Sequence, residues 1–161
     1  GTVTFDTAEG KGTTFVVSLP ALDSVEVTES DASPSNVPVR EGRILLAEDQ
    51  PLVRRSMVRG LERHGFVVTE AEDVPSALVA LRAGRYDLLC TDGIMPGGPT
   101  RDLIDAFRLR EPGRPILVCS GYLEESPVLH DIGAGRSGFL RKPFTTEQLV
   151  AEIAKLLDRA R

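Results

Sequence analysis

The stretch "YDLLCTDGIMPGG", Tyr86–Gly98, decides how the rest of the chain is read. "YDLLC" is a short apolar run with the length and composition of a buried strand. Two residues further on stands a carboxylate, Asp92, followed by Gly93, Pro96, Gly97 and Gly98, which favour a tight turn. A core strand that delivers a charge to a turn is costly unless the charge meets a partner there.

Similar short apolar runs recur on either side: "RILLA" 43–47, "FVVTE" 66–70, "PILVC" 115–119 and "GFL" 138–140. Helical spacing fills the gaps between them. Val74, Ala77, Leu78 and Leu81 fall at i, i+3, i+4 and i+7, and Leu149, Ile153, Leu156 and Leu157 make a comparable stripe. Val53, Met57 and Leu61 mark a first helix, and Leu103, Ile104 and Phe107 a third. A fourth, about 124–134, is short and broken by glycine. Gly65 and Gly84 stand where helices should stop. Five strands alternating with five helices predict an α/β domain over 42–161, a doubly wound five-stranded parallel sheet with helices on both faces.

The first 41 residues differ in kind. Residues 1–20 hold two β-rich runs around a glycine-containing loop, a hairpin pattern. Residues 21–41 are acidic and rich in Ser and Pro, the composition of a flexible linker. These segments carry net charges of −1 and −4, the whole of the chain's −5. Residues 42–161 balance 17 acids against 17 bases, which disfavours a nucleic-acid partner. No apolar run reaches the ~18 residues of a membrane span, so no membrane contact by this chain is expected. The only cysteines, Cys90 and Cys119, lie in apolar strand runs, as buried thiols in a reducing, cytoplasmic setting would. The chain opens on Gly1 rather than methionine, which suggests a piece of a longer protein.

In a doubly wound sheet, ligands bind beyond the carboxyl ends of the strands where the strand order reverses. Glu48 and Asp49 follow the first strand, Asp92 the third, Ser120 the fourth, and Lys142 with Pro143 the fifth. Singly, each has an ordinary explanation: a helix cap, a turn residue, a solvated lysine. Together they would place three carboxylates, a hydroxyl and an ammonium on one edge. Two like charges about 4 Å apart repel by roughly 4 kcal/mol at an effective dielectric of about 20. Such acids raise one another's pKa or recruit a cation, and an all-oxygen set suits Mg²⁺. With a cation and Lys142 present, the edge could receive a phosphoryl group, with Asp92 as the carboxylate nucleophile.

"LLAEDQ", "LLCTDGIMPG", "ILVCSG" and "FLRKPF" together resemble the receiver domain of two-component response regulators, over residues 42–161. The resemblance implies a flavodoxin-like strand order of 2-1-3-4-5 and Asp92 as phosphoacceptor. It further implies that Glu48, Asp49, Asp92 and the Ile94 backbone carbonyl hold Mg²⁺. Ser120 and Lys142 would bind the phosphoryl group, Ser120 and Phe139 would act as the switch pair, and the Lys142–Pro143 bond is often cis in such domains. The implied partner is a histidine kinase or a histidine phosphotransfer protein. Glu48 stands where aspartate is commoner, which keeps the charge. Ile94 and Tyr122 occupy positions that tune loss of the phosphoryl group to water, and neither assists a water molecule. A long-lived phosphorylated state is therefore expected, and Ile94→Asn should shorten it.

Residues 1–20 as a whole resemble the last glycine box and final strands of a histidine-kinase ATP-binding domain, whose other boxes are missing. That implies a fragment of a hybrid histidine kinase, in which Gly10 and Gly12 touch ATP phosphates only in the intact parent. The chain lacks the kinase core, so any catalysis would be of its own phosphorylation and dephosphorylation. Other readings are an aspartyl-phosphate phosphatase, which wants a second acid where Ile94 stands, and a degenerate receiver serving as an interaction module. Flavin binding on the same fold is disfavoured, because three acids would repel a flavin phosphate.

Overall fold

The computed structural model describes residues 1–20, 42–121 and 137–160. The chain divides into two compact units, Gly1–Asn36 and Val37–Arg161. The acidic segment 21–41, the fourth helical segment near 124–134 and Tyr122 lie outside the described residues.

In the smaller unit, β1 (Thr2–Ala8) and β2 (Gly12–Ser18) pair antiparallel, with Phe5 opposite Phe15 and Val3 opposite Val17. Gly10 and Gly12 turn the chain at φ 73° and 84°, conformations that a side chain would strain. Strand alternation puts Val3, Phe5, Phe15 and Val17 on one face, and the two phenylalanine ring centroids lie 6.0 Å apart. Every residue of both strands is exposed.

The larger unit runs β3 (Arg43–Ala47), α1 (Pro51–Arg63), β4 (Val67–Ala71), α2 (Val74–Ala83), β5 (Leu88–Asp92) and α3 (Thr100–Arg110). β6 (Ile116–Ser120), β7 (Ser137–Arg141) and α4 (Thr146–Arg159) complete it. The sheet order is β4-β3-β5-β6-β7 and every neighbour pair is parallel, the doubly wound order expected. The chain steps from β3 outward to β4, then back across to β5. The reversal therefore falls between β3 and β5, which sets the crevice for a ligand there.

Alternate strand residues feed two cores. Leu45, Ala47, Leu89 and Val118 face Val74, Ala77, Leu103 and Phe107 of α2 and α3. Ile44, Leu46, Leu88 and Leu117 face Met57 and Leu61 of α1 and Leu149 and Ile153 of α4. Cys90 and Cys119 belong to the second core, buried with their sulfurs 3.8 Å apart. The contact with Cys119 and then burial push the Cys90 thiol well above its ordinary range.

Helix starts follow local chemistry. Asp73 caps α2 and Thr145 caps α4, each in a reciprocal box with the residue three further on, Ser76 and Gln148. Pro51 opens α1, where a missing N–H costs nothing. Gly60 lets α1 approach α4 closely: a Cβ there would sit 2.5 Å from Thr146 Cγ2.

The strands run further than their apolar residues suggest. Asp92 pairs with Cys119 and Ser120 with Arg141, so both site residues are the last rungs of their ladders. Polarity marks where burial ends, whereas backbone pairing continues until the chain must turn. No helix among the described residues is long and apolar enough to cross a membrane.

Candidate functional site

Glu48 and Asp49 leave the end of β3, Asp92 ends the adjacent β5, and Lys142 follows β7. The strand termini bring the three carboxylates together, with one ligand oxygen from each lying within 4.8 Å of the others. Glu48 is buried, Asp92 half-buried and Asp49 exposed. The acid set thus runs from the protein interior to solvent.

Lys142 reaches across two strands into this group. Its Nζ lies 2.6 Å from Glu48 Oε2 and 2.7 Å from Asp92 Oδ2. Burial alone would lower the Lys142 ammonium. Its hydrogen bonds to Asp92 and then Glu48, with the charges of both, outweigh it and hold the group above the ordinary lysine value of 10.5. Backbone amides meet the other oxygen of each: Gln50 N donates to Glu48 Oε1 at 3.3 Å and Ile94 N to Asp92 Oδ1 at 3.2 Å. The loops are tied to the strand ends as well. Glu48 N donates to Ala71 O, Gly93 N to Cys119 O, and Lys142 N to Ser120 O at 3.1, 3.0 and 2.9 Å.

Ser120 is buried at the end of β6, beside the end of β5. Phe139 sits in mid-β7 opposite Val118, partly buried against the core under α2 and α3. The Lys142–Pro143 peptide bond is cis. Ile94 lies in the turn after β5 with its side chain largely exposed. Gly10 and Gly12 belong to the hairpin turn of the smaller unit.

One participant is absent from the sequence reading. Arg54, on the first turn of α1, donates from one guanidinium nitrogen to both the Glu48 and the Asp49 carbonyl oxygens, at 2.7 and 3.2 Å. Its other nitrogens face Glu70 Oε2 at 3.3 Å and Glu72 Oε2 at 3.5 Å. A basic residue six positions after an acid has many ordinary uses, so no local signal marks it.

Chemically, three carboxylates facing one ammonium leave a formal deficit of two positive charges. The donor set is oxygen only, which fits a hard divalent cation such as Mg²⁺ and not a thiolate- or imidazole-seeking metal. A parallel doubly wound sheet with acids at its switch point and a lysine from the far strand defines a receiver-type domain. The response regulator receiver domain family model matches residues 44–154, and the chain belongs to that family.

Two relatives illustrate its range. The chain is 31% identical over 175 aligned positions to the sensor kinase CckA of Brucella abortus, an alignment covering 99% of this chain and 18% of the kinase. It is 34% identical over 120 positions to the chemotaxis protein CheY of Pseudomonas aeruginosa, covering 73% of this chain and 97% of that protein. The crystal structure of the receiver domain from the hybrid histidine kinase CckA superposes with a TM-score of 0.61 at 33% identity. That match covers 72% of this chain and 99% of that one. The chain spans less than a fifth of the CckA kinase and about half of PhoB of Escherichia coli, at 18% and 52% of their lengths.

Proposed function

We propose that the larger unit is a phosphoacceptor switch of a two-component phosphorelay, taking a phosphoryl group from a partner's histidine onto Asp92. The observation that carries this reading is the convergence of Glu48, Asp49 and Asp92 around a Lys142 that is ion-paired to two of them. An Asp92 carboxylate oxygen attacks phosphorus; the new O–P bond forms as the P–N bond breaks, and the electron pair stays on the imidazole nitrogen. Magnesium held by Glu48, Asp49, Asp92 and the Ile94 carbonyl supplies positive charge to the phosphoryl oxygens when bound. Lys142 exchanges its Asp92 contact for a phosphoryl oxygen, and the Ser120 hydroxyl donates to another. Those new contacts favour one of two arrangements of Ser120 and Phe139, a population shift that alters the partner surface.

The donor is a histidine kinase or a histidine phosphotransfer protein. A groove of 580 Å³ beside Lys142, lined by Leu52, Val53, Met57, Phe144 and Leu149, supports approach of such a partner over the start of α1. Residues 1–20 are the tail of an ATP-binding domain and 21–41 a linker, in a cytoplasmic hybrid kinase. Gly10 and Gly12 touch ATP phosphates only in that intact parent.

The test is intact mass after incubation with Mg²⁺ and a small acyl phosphodonor. One phosphoryl adduct is expected on the wild type and none on Asp92→Asn. An unmodified wild type would make this a degenerate receiver. Sustained turnover of unrelated phosphoesters would make it a phosphatase.

A further inference from the structure

We infer that Arg54 is a positioning residue for the metal-binding acid pair: it fixes the backbone that carries Glu48 and Asp49. This inference rests on the proposed phosphoacceptor function and names a group that works one layer behind it.

The geometry is specific. Both carbonyls come from the residues whose carboxylates join Asp92, and one guanidinium nitrogen bridges them. Two consecutive peptide units are thereby pinned, which limits where both side chains can point. The rest of the fork is held by Glu70 and Glu72, at the end of β4 and just past it. Arg54 is itself well shielded, its side chain 13% exposed. The two glutamates are exposed, so these ion pairs are worth little as stability and serve to aim the guanidinium. A planar fork with five donors can hold two carbonyls and two carboxylates at once, which an ammonium cannot.

Simple electrostatics predicts the opposite of positioning. Arg54 is a cation close to a cation-binding site, so its removal should tighten a divalent ion through lost repulsion. Positioning predicts weakening, because partners behind metal ligands typically cost ~10–100-fold in metal affinity when removed. The sign of the change therefore decides between them.

The experiment uses the full chain and its Arg54→Ala and Arg54→Lys variants. Free Mn²⁺ is counted by electron paramagnetic resonance, with Mg²⁺ competition, well below each protein's melting temperature. Metal-free hydrogen exchange at the Glu48–Gln50 amides is read in parallel. Arg54→Ala should weaken Mn²⁺ by about tenfold or more and speed exchange at those amides, with Arg54→Lys falling between it and the wild type. Affinity unchanged within twofold, or tightened, in Arg54→Ala would overturn the inference. A melting temperature that falls while affinity and local exchange stay put would also overturn it, leaving only a structural role. If the wild type binds no Mn²⁺, or binds it equally well in Asp92→Asn, the phosphoacceptor reading fails instead.

Discussion

The hairpin at the N-terminus and the five-stranded sheet are built from similar β-prone runs, yet they end in opposite states. All fourteen residues of β1 and β2 are exposed, whereas four of the five in β3, Ile44–Ala47, are buried. Propensity and alternation suffice to write a strand. A core requires helices or a second layer against it, and an isolated hairpin is marginal in water. The chemistry separates along the same line. Hairpin partners such as Phe5 and Phe15 are close in sequence, while Lys142 meets residues 94 and 50 positions away. Only crossover connections bring such groups to one edge.

The largest effect expected from this contrast compares two phenylalanines. Phe107 has 0% exposure in the core under α3, and Phe107→Ala should cost the sheet unit about 3–5 kcal/mol in chemical denaturation. Phe15→Ala removes a ring that is 66% exposed and should leave that same transition unmoved. Equal losses from both would break the contrast.

A smaller effect tests whether the site edge is held by its own charges. Lys142→Met leaves Glu48 buried without its ammonium, at a cost on the order of 2 kcal/mol, discounted from fully buried pairs because Lys142 is part-exposed. The sign of the pH dependence follows from a raised folded pKa. The stabilisation is complete below the ordinary lysine value of 10.5 and is lost as pH rises through the higher folded value. On the alkaline side, melts of wild type and variant should therefore converge as pH rises above 10.5. A constant gap through that range would show that Lys142 acts by packing.

The smallest effect sharpens the account of the second core. Gly60→Ala gains about 1 kcal/mol of helix propensity but presses a methyl against Thr146 Cγ2 at 2.5 Å. Overpacking costs typically 1–3 kcal/mol, so a net loss near 1 kcal/mol is expected. Thr146→Ser removes the Cγ2 and should turn that loss into a small gain, read from melting temperatures of the single and double variants.

Much of this was legible in the residues. Short apolar runs separated by helical stripes dictate a parallel sheet, and the carboxylates near the ends of the first and third strands gather at one edge of it, as their spacing predicts. Where pairing stops was not legible, because backbone pairing runs past the apolar residues to Asp92 and Ser120, which the sequence places just after their strands. Nor could it reveal Arg54, whose role depends on backbone carbonyls that every residue possesses and only folding selects. The caps at Asp73 and Thr145 lay between these cases. Their residue types are suggestive, but only the reciprocal bonds distinguish a capping box from a polar loop.

The buried sulfurs have a practical side. Cys90 is sealed in the second core with its thiol pushed far from the thiolate form, and Cys119 shares that burial. Maleimides and similar reagents attack the thiolate and need access, so both native thiols should stay silent toward them in the folded protein. A single cysteine placed on the surface could then carry a fluorophore or spin label without prior removal of the native pair. Reaction at Cys90 or Cys119 would in turn report that the sheet had opened.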